Sequence, residues 1–149
     1  MTKNVNFMNE KERQDLMIYL SAEKCSCVIQ NGNETRAFYE RGVKDLYRLL
    51  REEPEFLRGA FIADKVVGKA AAALMILGGV EEVYADVVSQ PACQFFDRVR
   101  IRAAYKQIVP HIINRTQTDL CPLEKRCAGA VTPEECLTVI EDFMATLPG

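Results

Sequence analysis

Two rhythms of apolar residues run along this chain, one of about 3.6 residues and one of two. Leu16, Met17 and Leu20 recur at helical spacing behind Asn9, an N-cap with Glu12 placed to complete a capping box. Residues 25–30 and 35–40 read as strands, and Asn31-Gly32 between them predicts a type I′ hairpin turn. Val43, Leu46, Tyr47 and Leu50 mark an amphipathic helix that should end near Glu53-Pro54. After Gly59 comes a short buried strand at 60–63, and Asp64 then stands where a helix cap is expected. The body of that helix, 70–77, is apolar on almost every side, which places it inside the protein, and Gly78-Gly79 stops it. A strand at 83–88, a helix carrying Ala92, Phe96 and Val99, and a strand at 104–109 follow. Thr132, Pro133 and Glu135 open a last helix whose stripe is Cys136, Val139, Ile140, Phe143, Met144 and Leu147.

Strands alternating with helices predict a three-layer α/β/α sandwich around a mixed, mostly parallel sheet, with the hairpin as one antiparallel edge. No repeat, low-complexity stretch or linker divides the chain, so residues 1–149 read as one domain. Hydrophobic residues at 48% and charged residues at 27% fit a globular protein and exclude disorder. A formal net charge of −2 gives no basic field, so no nucleic-acid partner is expected. The apolar run at 70–77 is too short to cross a bilayer and no signal-like stretch opens the chain, so the expected compartment is the cytosol.

The six cysteines and the single histidine, His111, have no usual zinc or redox spacing. Reduced thiols, no metal and no cofactor are the expectation. Cys121 and Cys127 flank a gap that matches no common motif; Cys121 is a candidate nucleophile or an idle thiol.

The stretch from Asp64 to Lys69 carries the most chemistry. With a helix starting after Asp64, Lys65 and Lys69 are four apart and share a face of its first turns. Ammonium groups there oppose the helix dipole unless they help it hold an anion, with Gly68 allowing close approach. The alternative is a capped helix whose lysines reach solvent along their stems. Arg41-Gly42 would open the neighbouring helix and could fork onto the same ligand, or be a surface arginine at a strand end. Asn114, Arg115 and Cys121 follow the last strand in a polar loop able to close over the pocket, and Ser89 either bonds a ligand or caps a helix.

The segment Ala63-Asp-Lys-Val-Val-Gly-Lys-Ala-Ala-Ala72, with Gly79-Val-Glu-Glu-Val-Tyr-Ala85, Ile113-Asn-Arg115 and Cys121-Pro-Leu-Glu124, resembles an uncharacterised prokaryotic family, domain of unknown function 1893. The resemblance runs from about residue 25 to 125 and implies a cytidine-deaminase-like fold. Zinc deaminases open their two metal-binding helices with His/Cys-Ala-Glu and Pro-Cys-x-x-Cys. The matching openings here are Glu40-Arg41-Gly42-Val43 and Asp64 to Lys69, without thiolate or imidazole, so a deaminase activity would rest on fold analogy alone. The reading is therefore a domain that binds a small anionic, nucleotide-like ligand at helix N-termini. A metal-independent hydrolase or transferase using Asp64, Lys65, Lys69 and Cys121 is one alternative; a non-catalytic interaction module is the other. Related folds assemble, which makes a homodimer compatible with this reading.

Overall fold

In the computed structural model, residues 10–22, 24–40, 43–113 and 122–146 are described. Short runs rich in valine, isoleucine and phenylalanine build five strands: β1 Cys27–Asn31, β2 Glu34–Phe38, β3 Phe61–Val67, β4 Glu82–Ser89 and β5 Arg102–Val109. They form one sheet in the order β2-β1-β3-β4-β5. The described helices are α1 Glu10–Ala22, α2 Lys44–Glu52, α3 Pro54–Leu57, α4 Lys69–Leu77, α5 Gln90–Asp97, α6 Pro122–Cys127 and α7 Pro133–Ala145.

The strands alternate between two unequal cores, as their period of two requires. Ile29, Ile62, Val83 and Ala85 face the larger core, with Leu46 and Leu49 of α2, Phe95 and Phe96 of α5, and Ile140 of α7. Helix α4 is its centre: the seven residues from Lys69 to Met75 are buried, and its alanines let α5 and α7 approach closely. Val28, Phe61 and Ala63 face the other way, onto Leu16 and Leu20 of α1, with Tyr84 half-buried beside them. Among the described residues, helix α1 alone lies on that face, over β1 and β3.

Several expectations are corrected. The sheet is mixed but evenly so: β1 is antiparallel to both β2 and β3, while β3, β4 and β5 are parallel. The hairpin loop is Gly32-Asn33, one residue later than predicted, because Asn31 pairs with Glu34 and stays in β1. Its amide is held there by donating to the carbonyls of Phe56 (2.8 Å) and Arg58 (2.9 Å), and Gly32 takes the positive φ, 59°. The chain after Glu53 also forms a further short helix at Pro54, and another forms at Pro122.

The largest correction concerns Asp64. Strand β3 does not stop at residue 63 but continues to Val67, and α4 begins four residues later than expected, with Gly68 as N-cap. Pairing with β1 on one side and β4 on the other carries the segment forward as a strand, in keeping with its two β-branched valines. Asp64 is therefore no cap, and Lys65 is on a strand, not on a helix face shared with Lys69. The stop at the other end of α4 is as expected: Gly79 adopts φ 75°, and a Cβ on Gly78 would meet Leu57 Cδ1 at 2.8 Å.

Candidate functional site

Parallel strands β3 and β4 both end where α4 and α5 begin, so their C-terminal ends and two helix N-termini share one edge of the sheet. The N-terminus of α4 exposes backbone donors that its own helix cannot satisfy. The donor of Lys69 meets a carboxylate from the same chain: Lys69 N–H donates to Glu124 Oε1 at 3.0 Å, and Ile112 N–H donates to Oε2 at 3.1 Å. Glu124 is only 6% exposed. Gly68 makes this approach possible, since a Cβ there would sit 3.1 Å from Glu124 Oε1 and 3.2 Å from Ile112 Cγ1. The carboxylate thus lies against the positive end of the helix dipole, the place expected for a ligand anion.

Lys69 is the first residue of α4 and is buried, but its side chain does not turn to that carboxylate by hydrogen bonding. Its ammonium donates to the carbonyls of Ala130 (2.6 Å) and Ala128 (3.3 Å) and lies 5.4 Å from the centre of the Phe95 ring. It ties the turn between α6 and α7 to α4. Cys127 and Cys136 lie within the field of both charges. The hydrogen bond between the two thiols pushes Cys127 up and draws Cys136 down, and Lys69 lowers both.

Asp64, in the middle of β3, is a second buried carboxyl. It sits in β3 opposite Cys27 of β1 and Ala85 of β4, and its Oδ1 accepts the N–H of Val66 at 3.3 Å. Burial pushes its carboxyl up to about 7; the N–H groups of Val66 and Lys65 and the Cys27 thiol oppose this, while Asp86 adds to it. Cys27 is pushed up in turn, first by burial and then by Asp64. A carboxyl poised near neutrality can hold or release a proton there.

Of the other expected site residues, Ser89 is fully buried and caps α5, accepting the N–H of Ala92 at 3.2 Å. Lys65 is half-buried on β3, its N–H donating to Ser26 O at 3.0 Å. Arg41, Gly42, Asn114, Arg115 and Cys121 lie outside the described residues. Cys25, Cys27, Cys93, Cys127 and Cys136 carry no disulfide. The edge thus gathers Gly68, Lys69 and Ser89, leaves Asp64 back in the middle of β3, and adds Glu124, which sequence reasoning had placed in a motif but not in the site. A buried partner 55 residues from Lys69 leaves no periodic signal; the only sequence hint is an acidic residue just after Pro122 in a helix first turn.

Among curated proteins none matches this chain. A crystal structure at 2.70 Å of a DUF1893 family protein from Thermotoga maritima, TM1506, matches with a TM-score of 0.83. The match is at 19% identity over 96% of this chain and 97% of that one, so it establishes a shared fold. The family model described as domain of unknown function DUF1893 matches residues 15–144. With nearly the whole described chain inside that match, this protein belongs to the DUF1893 family.

Proposed function

We propose that this domain binds a small anion, such as the phosphate of a nucleotide-like molecule, at the N-terminus of α4, in competition with its own Glu124. The observation that carries the reading is the Glu124 carboxylate itself. A buried anion bonded to the Lys69 and Ile112 N–H groups marks this helix end as a cradle for negative charge. The cradle is held by an acidic side chain on a six-residue helix rather than by the main sheet, so an external anion would displace one carboxylate and its short support.

Thermal unfolding of the parent and of Glu124→Ala in phosphate, formate or a mononucleotide, against chloride at matched ionic strength, tests the reading. Glu124→Ala should start less stable and gain more from each anion than the parent does. The gain should approach about 2.7 kcal/mol at a hundredfold excess over Kd. A Glu124→Ala protein that gains nothing beyond the chloride control would make the end of α4 a structural junction, in line with an interaction module.

A metal-independent enzyme is the second reading, and the buried carboxyl of Asp64 favours it. A group raised to about 7 can serve as acid or base near neutral pH. Turnover on a panel of nucleosides and phosphate esters should then fall sharply in Asp64→Asn. No turnover of any panel member by the parent would leave ligand binding as the function. A deaminase-type reaction belongs to this second reading and rests only on the fold that the sequence resemblance implies.

A further inference from the structure

Among the described residues, the face of the sheet that carries α1 is only partly covered, and beside α1 lies a cleft of about 490 Å³. One stripe of α1 forms its wall: Gln14, Met17, Ile18, Ser21 and Ala22 stand at positions i, i+3, i+4, i+7 and i+8 of the helix. This stripe lies beside the one that buries Leu16 and Leu20, so the same packing that seats α1 on β1 and β3 aims it over β4 and β5. The middle of the wall is apolar, and Ile18 is 64% exposed.

The floor is charged. Tyr84 and Asp86 come from β4 and Lys106 from β5. Since Ala85 is in register with Tyr105 and Val87 with Gln107, Asp86 and Lys106 are side by side on adjacent strands, which run about 4.8 Å apart. Opposite charges so placed on a protein surface commonly pair. Here the Asp86 carboxylate accepts the Tyr84 hydroxyl at 2.9 Å; Lys65 of β3 flanks Asp86 on its other side in the same register but does not line the cleft. The cleft therefore presents a negative and a positive group together, with an apolar wall alongside.

We infer that this cleft is a second binding site, separate from the N-terminus of α4, for a small zwitterion with an apolar chain, of the α-amino-acid class. Its ammonium would lie on Asp86, its carboxylate on Lys106, and its side chain along Met17, Ile18 and Ala22. A simple anion would meet repulsion from Asp86 and a simple cation repulsion from Lys106, whereas a zwitterion satisfies both charges at once.

Titration of the isotope-labelled protein with L-leucine, followed by amide NMR, tests the site. Isoamylamine, which lacks the carboxylate, and isocaproate, which lacks the ammonium, serve as single-charge controls. L-Leucine should give saturable shifts at Met17, Ile18, Tyr84, Asp86 and Lys106 and bind at least about 10-fold tighter than either control. Lys106→Met and Asp86→Asn should each lose about 10-fold in affinity while melting as the parent does. Glu124→Ala should bind L-leucine unchanged, which separates this site from the one proposed at α4. The inference fails if no saturable shift appears by about 10 mM, a weaker affinity than any specific site here needs. It fails equally if the single-charge controls match L-leucine, or if both variants bind as the parent does. Shifts that follow protein concentration instead of L-leucine would mark the face as a contact between copies of the chain and also overturn it.

Discussion

Lys69 shows how the same cation can be a ligand group or a strut, depending on where its stem leads. Its ammonium ends on the carbonyls of Ala128 and Ala130, so Lys69→Met should cost roughly 1–3 kcal/mol, the range for lost charged hydrogen bonds. A solvated lysine would make that change neutral; urea unfolding of the two proteins decides. Asp64 works in the opposite direction. Its carboxyl holds its proton more tightly in the folded chain than in the unfolded one, since burial lifts it from 3.8 to about 7. The stability this gives is therefore fully present below pH 3.8 and is lost as pH rises through about 7. Asp64→Asn keeps an acceptor for the Val66 N–H and removes the buried charge. It should be more stable than the parent by roughly 2–4 kcal/mol at pH 8, with the difference closing as pH falls. Unfolding curves at pH 5 and pH 8 measure it, and a difference that does not change with pH would mean that Asp64 does not titrate in this window.

At the scale of elements, α4 and α6 meet through one glycine and one carboxylate. Gly68→Ala should destabilise by about 1–3 kcal/mol because its Cβ would crowd Glu124 and Ile112. Much of that loss should disappear in the Glu124→Ala background, giving a coupling of roughly 1 kcal/mol in a double-mutant cycle. Independent losses would mean that Ile112, not the carboxylate, sets the clearance. The same stretch explains the boundary that sequence reasoning misplaced. Asp64 is a good helix cap in isolation, and nothing local forbids a helix from residue 65. Two strands were waiting to pair with it, and Val66 and Val67 suit a strand better than a helix, so the ladder wins four more residues. The hairpin moved by one residue for a similar reason: the two bonds from Asn31 to the chain around α3 hold it in β1.

Across the whole molecule, stability is unevenly spread. Helix α1 buries only Leu16 and Leu20 and is joined to β4 by the Arg13–Glu82 ion pair, whereas α4 is enclosed by the main core. Amide hydrogen exchange should therefore open α1 well before β3, β4 and α4, at a free energy below that of global unfolding. Equal protection of α1 and α4 would show that the smaller core is as cooperative as the larger one. While the choice of Ser89 as a cap came from the structure, the sequence alone determined the alternation of strands and helices, the presence of the hairpin, the buried character of α4 and its glycine stop, and the cap at Thr132. These are local matters of period, turn chemistry and unsatisfied helix ends, each legible within a few residues. Only the tertiary structure decided that β3 runs through Asp64, that Lys69 points into the α6–α7 turn, and that Glu124 fills the end of α4. It also decided that, among the described residues, a cleft lies beside α1 on the sheet. Each of these depends on which groups meet across tens of residues, and burial, pairing and electrostatics between distant segments have no period along the chain for a sequence to display.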